Sequence, residues 1–158
     1  MAHYQDERVA NVSAHQQRVK TMRYTLFEHQ KDLIILIARL LLMTLFVMSG
    51  WSKLTNFAGT AGYLASLGAP MPSLAAGIAI LMEFFVGIAL VVGFFTRPLA
   101  ALMALFVLGT ALIGHHFWSM PEPDKAANMI QFYKNISIMG GLLLLSVTGA
   151  GKYSVDRR

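Results

Sequence analysis

A single carboxylate, Glu83, interrupts the long apolar stretch of residues 74–95, and it constrains the fold more than any other residue. At about 1.5 Å of rise per residue, this stretch forms a helix of roughly 33 Å, long enough to cross the hydrocarbon core of a bilayer. Glu83 then lies near the middle of the membrane, where an ionised carboxylate is costly and requires a partner. Small side chains share its helix face at four-residue spacing, which predicts that Glu83 faces the protein interior: Ala75, Ala79, Gly87 and Val91.

The composition indicates an integral membrane protein. Hydrophobic residues make up 56% of the 158 residues and charged residues 13%, with a mean hydropathy of +0.55, which does not fit a water-facing surface. The formal net charge of +5 does not require a nucleic-acid partner, because most basic residues flank apolar stretches. The chain has no cysteine, which excludes disulfides, thiol redox chemistry and covalent haem attachment. Any redox function must therefore use an electron carrier from elsewhere.

Four apolar stretches predict an all-α fold, an integral membrane four-helix bundle spanning residues 33–151. The predicted spans cover residues 33–52, 74–95, 98–117 and 128–149. In the connection between the first two spans, Thr55 or Asn56 can cap a short interfacial helix, which Gly68 and the following prolines would end. The turn at residues 96–98 is so short that the second and third spans must be antiparallel neighbours.

The two ends of the chain are predicted to be cytoplasmic tails, residues 1–32 and residues 152–158. The N-terminal tail has thin apolar spacing beside basic residues, and it is either an amphipathic helix on an anionic membrane surface or a frayed polar segment. Of the 13 basic residues, nine lie on the side of the termini, two on the other side and two within spans. The positive-inside rule therefore places both termini of this multi-pass protein in the cytoplasm.

Ionisable residues within or beside the spans form a candidate site around Glu83, comprising Arg39, Lys53, His115 and Lys134. One interpretation is structural: Glu83 is the counter-ion of Arg39 and Lys134, and the charge network pins three helices together. The other is functional. One carboxylate facing two buried cations leaves an excess of positive charge, which favours an electron-rich ligand such as a quinone oxygen or an oxyanion. The sequence leaves both interpretations open.

The histidine and tryptophan residues near the third span favour roles other than metal binding. His115 and His116 point about 100° apart on a helix and cannot comfortably share one metal, so no metal site is predicted. His115 is better suited to bind a ligand or water at the outer mouth of the bundle. Trp118 is interpreted first as an anchor at the membrane interface. Alternatively, its ring forms a wall of a pocket for a planar ligand.

The chain resembles the DoxX family, and within it a YphA-like branch of small bacterial inner-membrane proteins. The match covers about residue 33 to the C-terminus. The residues that carry it are Arg39, Gly50-Trp51-Ser52-Lys53, LASLGAPMP at 64–72, Glu83, GFFTRP at 93–98, GHHFW at 114–118, NMIQFYKNIS at 128–137 and Thr148-Gly149. The resemblance implies a four-helix inner-membrane protein, and some relatives are subunits of quinol oxidase or thiosulfate:quinone oxidoreductase systems. Asn135 and Trp118, which lie in these blocks, are the remaining candidate pocket residues.

Together these observations predict a subunit of, or an accessory to, a membrane oxidoreductase, rather than an enzyme acting alone. Its pocket would hold a non-covalently bound quinone between Glu83, Lys134, His115 and Lys53, with no catalytic residue assigned. The expected partners are the lipid bilayer and membrane or soluble redox proteins, and a homo-oligomer is compatible with the sequence. The alternatives are a small anion or metabolite carrier that uses the same cationic cavity, and a scaffold for partner proteins without chemistry of its own.

The predicted topology can be tested with reporter fusions. Reporters at residue 1 and at residue 158 are expected to read cytoplasmic, and a reporter in the loop at residues 119–127 is expected to read periplasmic. A periplasmic C-terminus together with a cytoplasmic N-terminus would contradict a four-span chain, because an even number of crossings returns to the starting side.

Overall fold

The computed structural model describes residues 26–156, and the N-terminal amphipathic helix considered above lies outside the described residues. The chain divides into two units, Met1–Gln30 and Lys31–Arg158. In the described part of the first unit, the regular structure is a short 3₁₀ turn, Glu28–Gln30.

The second unit consists of five helices joined by loops. They are α1 (Lys31–Thr55), α2 (Phe57–Ser66), α3 (Pro72–Val92), α4 (Thr96–Gly114) and α5 (Asp124–Thr148). All except α2 are long and apolar enough to cross a membrane. The prediction of an all-α fold with four spans and a short helix between the first two is therefore confirmed.

Local capping explains the boundaries of α2 and the start of α3. Of the two predicted caps, Asn56 is the one used: its Oδ1 accepts a hydrogen bond from the backbone N–H of Gly59 at 3.2 Å. After α2 ends, Gly68 adopts the left-handed conformation with φ +73°. Pro72 is the first residue of α3, where its missing N–H costs nothing.

The turn between α3 and α4 differs from the predicted bounds. The prediction that the second span reaches residue 95 was wrong: α3 ends at Val92, because Gly93 is left-handed (φ +73°) and the N–H of Phe94 donates to the carbonyl of Ala89 at 2.8 Å. The third span begins at Thr96 instead of residue 98. The carboxylate of Asp156 accepts both the Phe95 and the Thr96 N–H groups at 2.8 Å and so caps α4 from the far end of the chain.

The end of α4 and the start of α5 also differ from the predicted bounds. α4 ends at Gly114 instead of residue 117, and the N–H of His115 makes its last hydrogen bond, to Ala111. α5 begins at Asp124, four residues before the predicted start, because Pro123 lies just before the helix and Asp124 is favourable in its positively polarised first turn.

The C-terminal segment, residues 149–156, lies against the end of the bundle where α1 begins and α3 meets α4. Its backbone N–H groups at Val155 and Asp156 donate to the carbonyls of Val92 and Gly93, both at 3.0 Å. Asp32 of α1 accepts from the N–H of Lys152 at 3.1 Å. We call this segment, with its contacts, the terminal clamp, and the end of the bundle that carries it the terminal face.

The buried apolar core extends from the terminal clamp to the middle of the bundle. All four long helices contribute to it: Met43, Phe46, Met82, Leu90, Ala100, Met103, Ala104, Val107, Leu142 and Leu145. Within the described residues, α1 packs extensively on α3, and α4 packs extensively on α5, whereas α1 and α5 have no comparable interface. The bundle is therefore tightly packed at the terminal face and less closed at the opposite end.

Gly50 sets the distance between α1 and α3. A Cβ atom at this position would lie 2.5 Å from the backbone nitrogen of Phe84 and 2.9 Å from the carbonyl carbon of Glu83. Only a residue without a side chain permits this approach, which places the backbone of α1 directly beside Glu83.

Substitution of Gly50 by Ala is expected to destabilise the bundle. The added methyl group meets backbone atoms that cannot rotate away, so the helices must separate, at a cost of about 1–3 kcal/mol. Thermal unfolding of the detergent-purified protein measures the effect. Gly140→Ala on α5 is the matched control, since a Cβ there meets nothing within 4 Å. Equal melting temperatures for the two variants would contradict the close approach at Gly50.

Candidate functional site

A cavity of about 660 Å³ opens between the helices at the end of the bundle opposite the terminal face. Its walls are mostly apolar and come from all five helices, and the loop between α2 and α3 covers part of its outer end. The polar side chains that line it are Ser49, Lys53, Tyr63, Glu83, Thr110, His115, Lys134 and Asn135. A cavity of this size and character is typical of small-molecule sites in proteins.

An ion pair between Lys53 and Glu83 lies in the wall of this cavity. The Lys53 Nζ is 2.6 Å from Oε2 of Glu83 and 2.5 Å from Oγ of Ser49. Glu83 is 8% exposed, so its predicted inward orientation is confirmed. Ser49 precedes Lys53 by one helical turn and holds the ammonium group from the same face of α1. The pair is thus a hydrogen-bonded polar centre in apolar surroundings.

The backbone of α3 departs from regular α-helix at this site. Residues Leu81–Val86 form a π-helical segment between the α-helical parts Pro72–Ile80 and Gly87–Val92. A π segment widens the helix and rotates the residues that follow it, and such segments are frequent at functional sites. Glu83 lies within it, beside the close approach of Gly50. The direction of the Glu83 side chain relative to α1 therefore cannot be derived from ideal α-helix geometry.

The remaining polar residues form the opposite wall of the cavity. The Lys134 ammonium donates to Oε1 of Gln131, one turn earlier on α5. His115 follows the last residue of α4, and its Nδ1 lies 3.0 Å from Oδ1 of Asn128. Asn135 lines the cavity next to Lys134. Five of the predicted pocket residues therefore line one cavity, although Glu83 contacts only Lys53 among the candidate cations.

Arg39 is the main departure from the predicted charge network. It is 1% exposed, but its guanidinium donates to two backbone carbonyls, that of Tyr153 at 2.5 Å and that of Leu90 at 3.4 Å. These contacts belong to the terminal clamp, where Arg39 also fills the space that a Cβ of Gly93 would need. The structural interpretation had Glu83 as the counter-ion of Arg39 and Lys134, but in the structure Lys53 is its partner, while Arg39 and Lys134 bind other groups.

Trp118 also lies away from the cavity. Its indole is 56% exposed and contacts the rings of Phe117 and Phe132, with centroids 5.5 Å and 5.8 Å away. This aromatic cluster agrees with an interface anchor and not with a pocket wall. His116 is held by the carbonyl of Ile113 and likewise does not line the cavity.

Ser49, Thr110 and Tyr63 line the cavity but were not among the predicted pocket residues. Ser49 could have been predicted from the sequence, since it lies one turn before Lys53 on the same face of α1. Tyr63 could not have been predicted, because the sequence does not determine how α2 lies over the bundle.

The cavity can bind a ligand that combines a hydrogen-bonding head with an apolar body. Lys53, Lys134 and the Asn135 amide supply donors, Glu83 supplies an acceptor, and Phe46 and Phe106 supply apolar contact. The polar groups are few and are surrounded by apolar walls. They would therefore determine the orientation of a ligand, while most of the binding affinity would come from apolar contact.

These features define a multi-pass helical membrane protein with a polar centre inside its bundle. The family model described as DoxX matches residues 34–116, and the chain belongs to the DoxX family. This confirms the resemblance inferred from the sequence motifs. The matched region contains Arg39, Lys53, Glu83 and His115, and it ends before α5 begins.

Two bacterial relatives are similar over most of their length. Inner membrane protein YphA of Escherichia coli is 50% identical over 140 residues, covering 89% of this chain and all of the relative. Inner membrane protein YqjF of the same organism is 40% identical, covering 80% of this chain and 92% of the relative. The protein is accordingly an inner-membrane protein.

A eukaryotic protein shows a shorter similarity. The Surfeit locus protein 4 homolog of Schizosaccharomyces pombe is 39% identical over 70 residues, which is 43% of this chain and 23% of the relative. No solved structure matches the chain.

Removal of the carboxylate tests whether Lys53 is its partner. In Glu83→Gln the Lys53 ammonium loses its counter-ion and keeps only neutral acceptors, and stability is expected to fall by roughly 1–3 kcal/mol, less than for a fully buried pair because the Lys53 side chain is 28% exposed. Adding Lys53→Met should restore most of the melting temperature, because no uncompensated ammonium remains.

The matched control for this rescue is Glu83→Gln combined with Lys134→Met. Lys134 does not contact Glu83, so its removal is expected to restore nothing. Rescue by Lys134→Met and not by Lys53→Met would contradict the pairing described here.

Proposed function

We propose that the protein binds a quinone-type ligand in this cavity, as a subunit of or an accessory to a membrane oxidoreductase. The observation that carries the proposal is the Lys53–Glu83 pair, which lies in a mostly apolar cavity and includes a carboxylate near the middle of a membrane-spanning helix. A buried charge pair is expensive in a bilayer, and intramembrane ionisable groups are functional more often than structural. A quinone combines polar oxygens with an apolar ring and chain, which matches both parts of the cavity.

The lysine and the carboxylate can each interact with a different oxidation state of a quinone, the oxidised quinone or the reduced quinol. The ammonium groups of Lys53 and Lys134 can donate to a quinone oxygen and stabilise negative charge that develops on it during reduction. The carboxylate of Glu83 can accept a proton from a quinol hydroxyl, and His115 at the outer end of the cavity can pass it onward. Both roles require only side chains that line the cavity.

A redox partner is part of this proposal. Since the chain has no cysteine, it cannot hold a thiolate-bound cluster, and electrons must come from another protein or cofactor. We place both termini in the cytoplasm on the distribution of basic residues, so the cavity opens towards the periplasm.

A small anion or metabolite carrier is the second candidate. It is favoured by Lys134, which among residues 26–156 has an amide and no carboxylate as its partner, so the cavity carries more cations than anions. Such a ligand would be water-soluble and would not need the apolar part of the cavity.

Ligand identity can be tested by extraction of the purified protein. Organic extracts of the wild-type protein are expected to contain a benzoquinone or naphthoquinone, detected by its absorbance change on reduction, and the Glu83→Gln, Lys53→Met double variant is expected to lose it. Leu144→Ala, at a 65% exposed position outside the cavity, is the control and should retain it. A folded wild-type protein that neither carries nor binds added quinone would contradict the proposal. Binding of small anions instead would favour the carrier, and binding of neither would favour a scaffold.

A further inference from the structure

The helices α1 and α5 face each other across the cavity without an extended interface. On α1, Leu42, Leu45, Ser49 and Lys53 follow one another at spacings of three, four and four residues, so they lie along one side of the helix. Leu42 lies beside Gly141 of α5, where an added Cβ would be 3.7 Å from its side chain. Beyond that point, α1 and α5 contribute residues to the cavity from opposite sides.

Helix geometry gives the register of this gap. The two helices run in opposite directions. Ser49 lies two turns after Leu42 on α1, and Lys134 lies two turns before Gly141 on α5, so Ser49 and Lys134 are at the same level. This level is about 10 Å from the contact between Leu42 and Gly141. Leu45 and Ser137 lie at the edges of the gap, between these two levels. Leu45 lines the cavity and is nevertheless 50% exposed, and Ser137 is exposed.

The other boundaries of the cavity are more closed. The apolar core, with Phe46, Met82 and Val107, forms its floor, and α2 with the following loop covers part of its outer end. α3 lies against α1 at Gly50, α4 packs along α5, and α3 contacts α4 between Leu81 and Val92. Among the described residues, α1 and α5 are the neighbouring spanning helices that line the cavity with the least packing between them.

We infer that the gap between α1 and α5 is a lateral opening to the lipid that holds the hydrocarbon chain of the bound ligand. This inference rests on the proposed function, because it assigns a second part of the same site. The head group occupies the cavity near Lys53 and Glu83, and the chain leaves between Leu45 and Ser137. The ligand is therefore a bilayer-resident amphiphile with a long isoprenoid or alkyl chain, which enters from the membrane and not from water.

The size of the cavity supports a separate place for the chain. A volume of about 660 Å³ is in the range that encloses one drug-sized molecule, so it accommodates a head group and a short part of a chain. A chain that crossed the outer end would meet water and the interface, whereas one that left between α1 and α5 would stay in hydrocarbon. Apolar side chains are available on both helices: Leu45 lines the cavity, and Leu42 and Ile138 lie partly buried against the core.

The test compares two probes that share a head group, 2,3-dimethoxy-5-methyl-1,4-benzoquinone and its 6-decyl derivative. Binding is measured to protein in lipid nanodiscs, with empty nanodiscs as background. Two variants obstruct the opening from either side, Leu45→Trp on α1 and Ser137→Trp on α5. The matched controls add the same bulk at exposed positions away from it, Leu40→Trp on α1 and Val147→Trp on α5.

We expect the obstructing variants to weaken binding of the decyl probe by about tenfold or more while changing binding of the chainless probe less than about twofold. The controls should change neither. Equal binding of the decyl probe to wild type and to both obstructing variants would overturn the lateral opening and leave the proposed head-group site standing. Loss of both probes in the two obstructing variants, with their melting temperatures unchanged, would also overturn it, because the obstruction would then act on the head group. A wild-type protein that binds neither probe would overturn the proposed function, and the opening with it.

Discussion

The ion pair between Lys53 and Glu83 determines how the first two spans meet. An ionised carboxylate in the middle of a spanning helix is costly unless a cation reaches it, and the 2.6 Å contact supplies that cation from the neighbouring helix. Two backbone features make the contact possible. The absence of a side chain at Gly50 brings α1 against α3, and the π-helical segment Leu81–Val86 turns the carboxylate towards α1. The energetic requirement of one charge thus determines how the first two spans pack.

The other buried charge has different partners. Arg39 has donors and no acceptor, and its two terminal nitrogens donate to backbone carbonyls at the end of α3 and in the C-terminal segment, while its buried Nε has no hydrogen-bond partner among the described residues. The same segment supplies the Asp156 carboxylate that caps α4. The terminal face is therefore held by hydrogen bonds that join α1, α3, α4 and the chain end. This allows the opposite end of the bundle to remain open around a cavity.

The sequence predicted the four spans, the Asn56 cap and the inward orientation of Glu83, because hydrophobic periodicity and side-chain spacing determine which face of a helix is buried. It also predicted five residues that line the cavity. It could not predict which of three cations pairs with Glu83, since that depends on helix tilt and on how closely two backbones approach. The partners of Arg39 and the start of α4 were equally inaccessible, because both depend on residues more than 50 positions away in the chain.

The correction to the charge network has a consequence for ligand entry. If Glu83 had paired with Lys134, separation of α5 from α1 and α3 would have broken a buried ion pair, at a cost of several kcal/mol. Because Glu83 pairs with Lys53, the charges of α1 and α3 are satisfied within those two helices, and Lys134 is bound to Gln131 of its own helix. Among residues 26–156, a small movement of α5 away from α1 therefore breaks no ion pair across the gap. In the proposed lateral entry, a ligand from the bilayer would displace apolar contacts and lipid there, while the Lys53–Glu83 pair would remain intact.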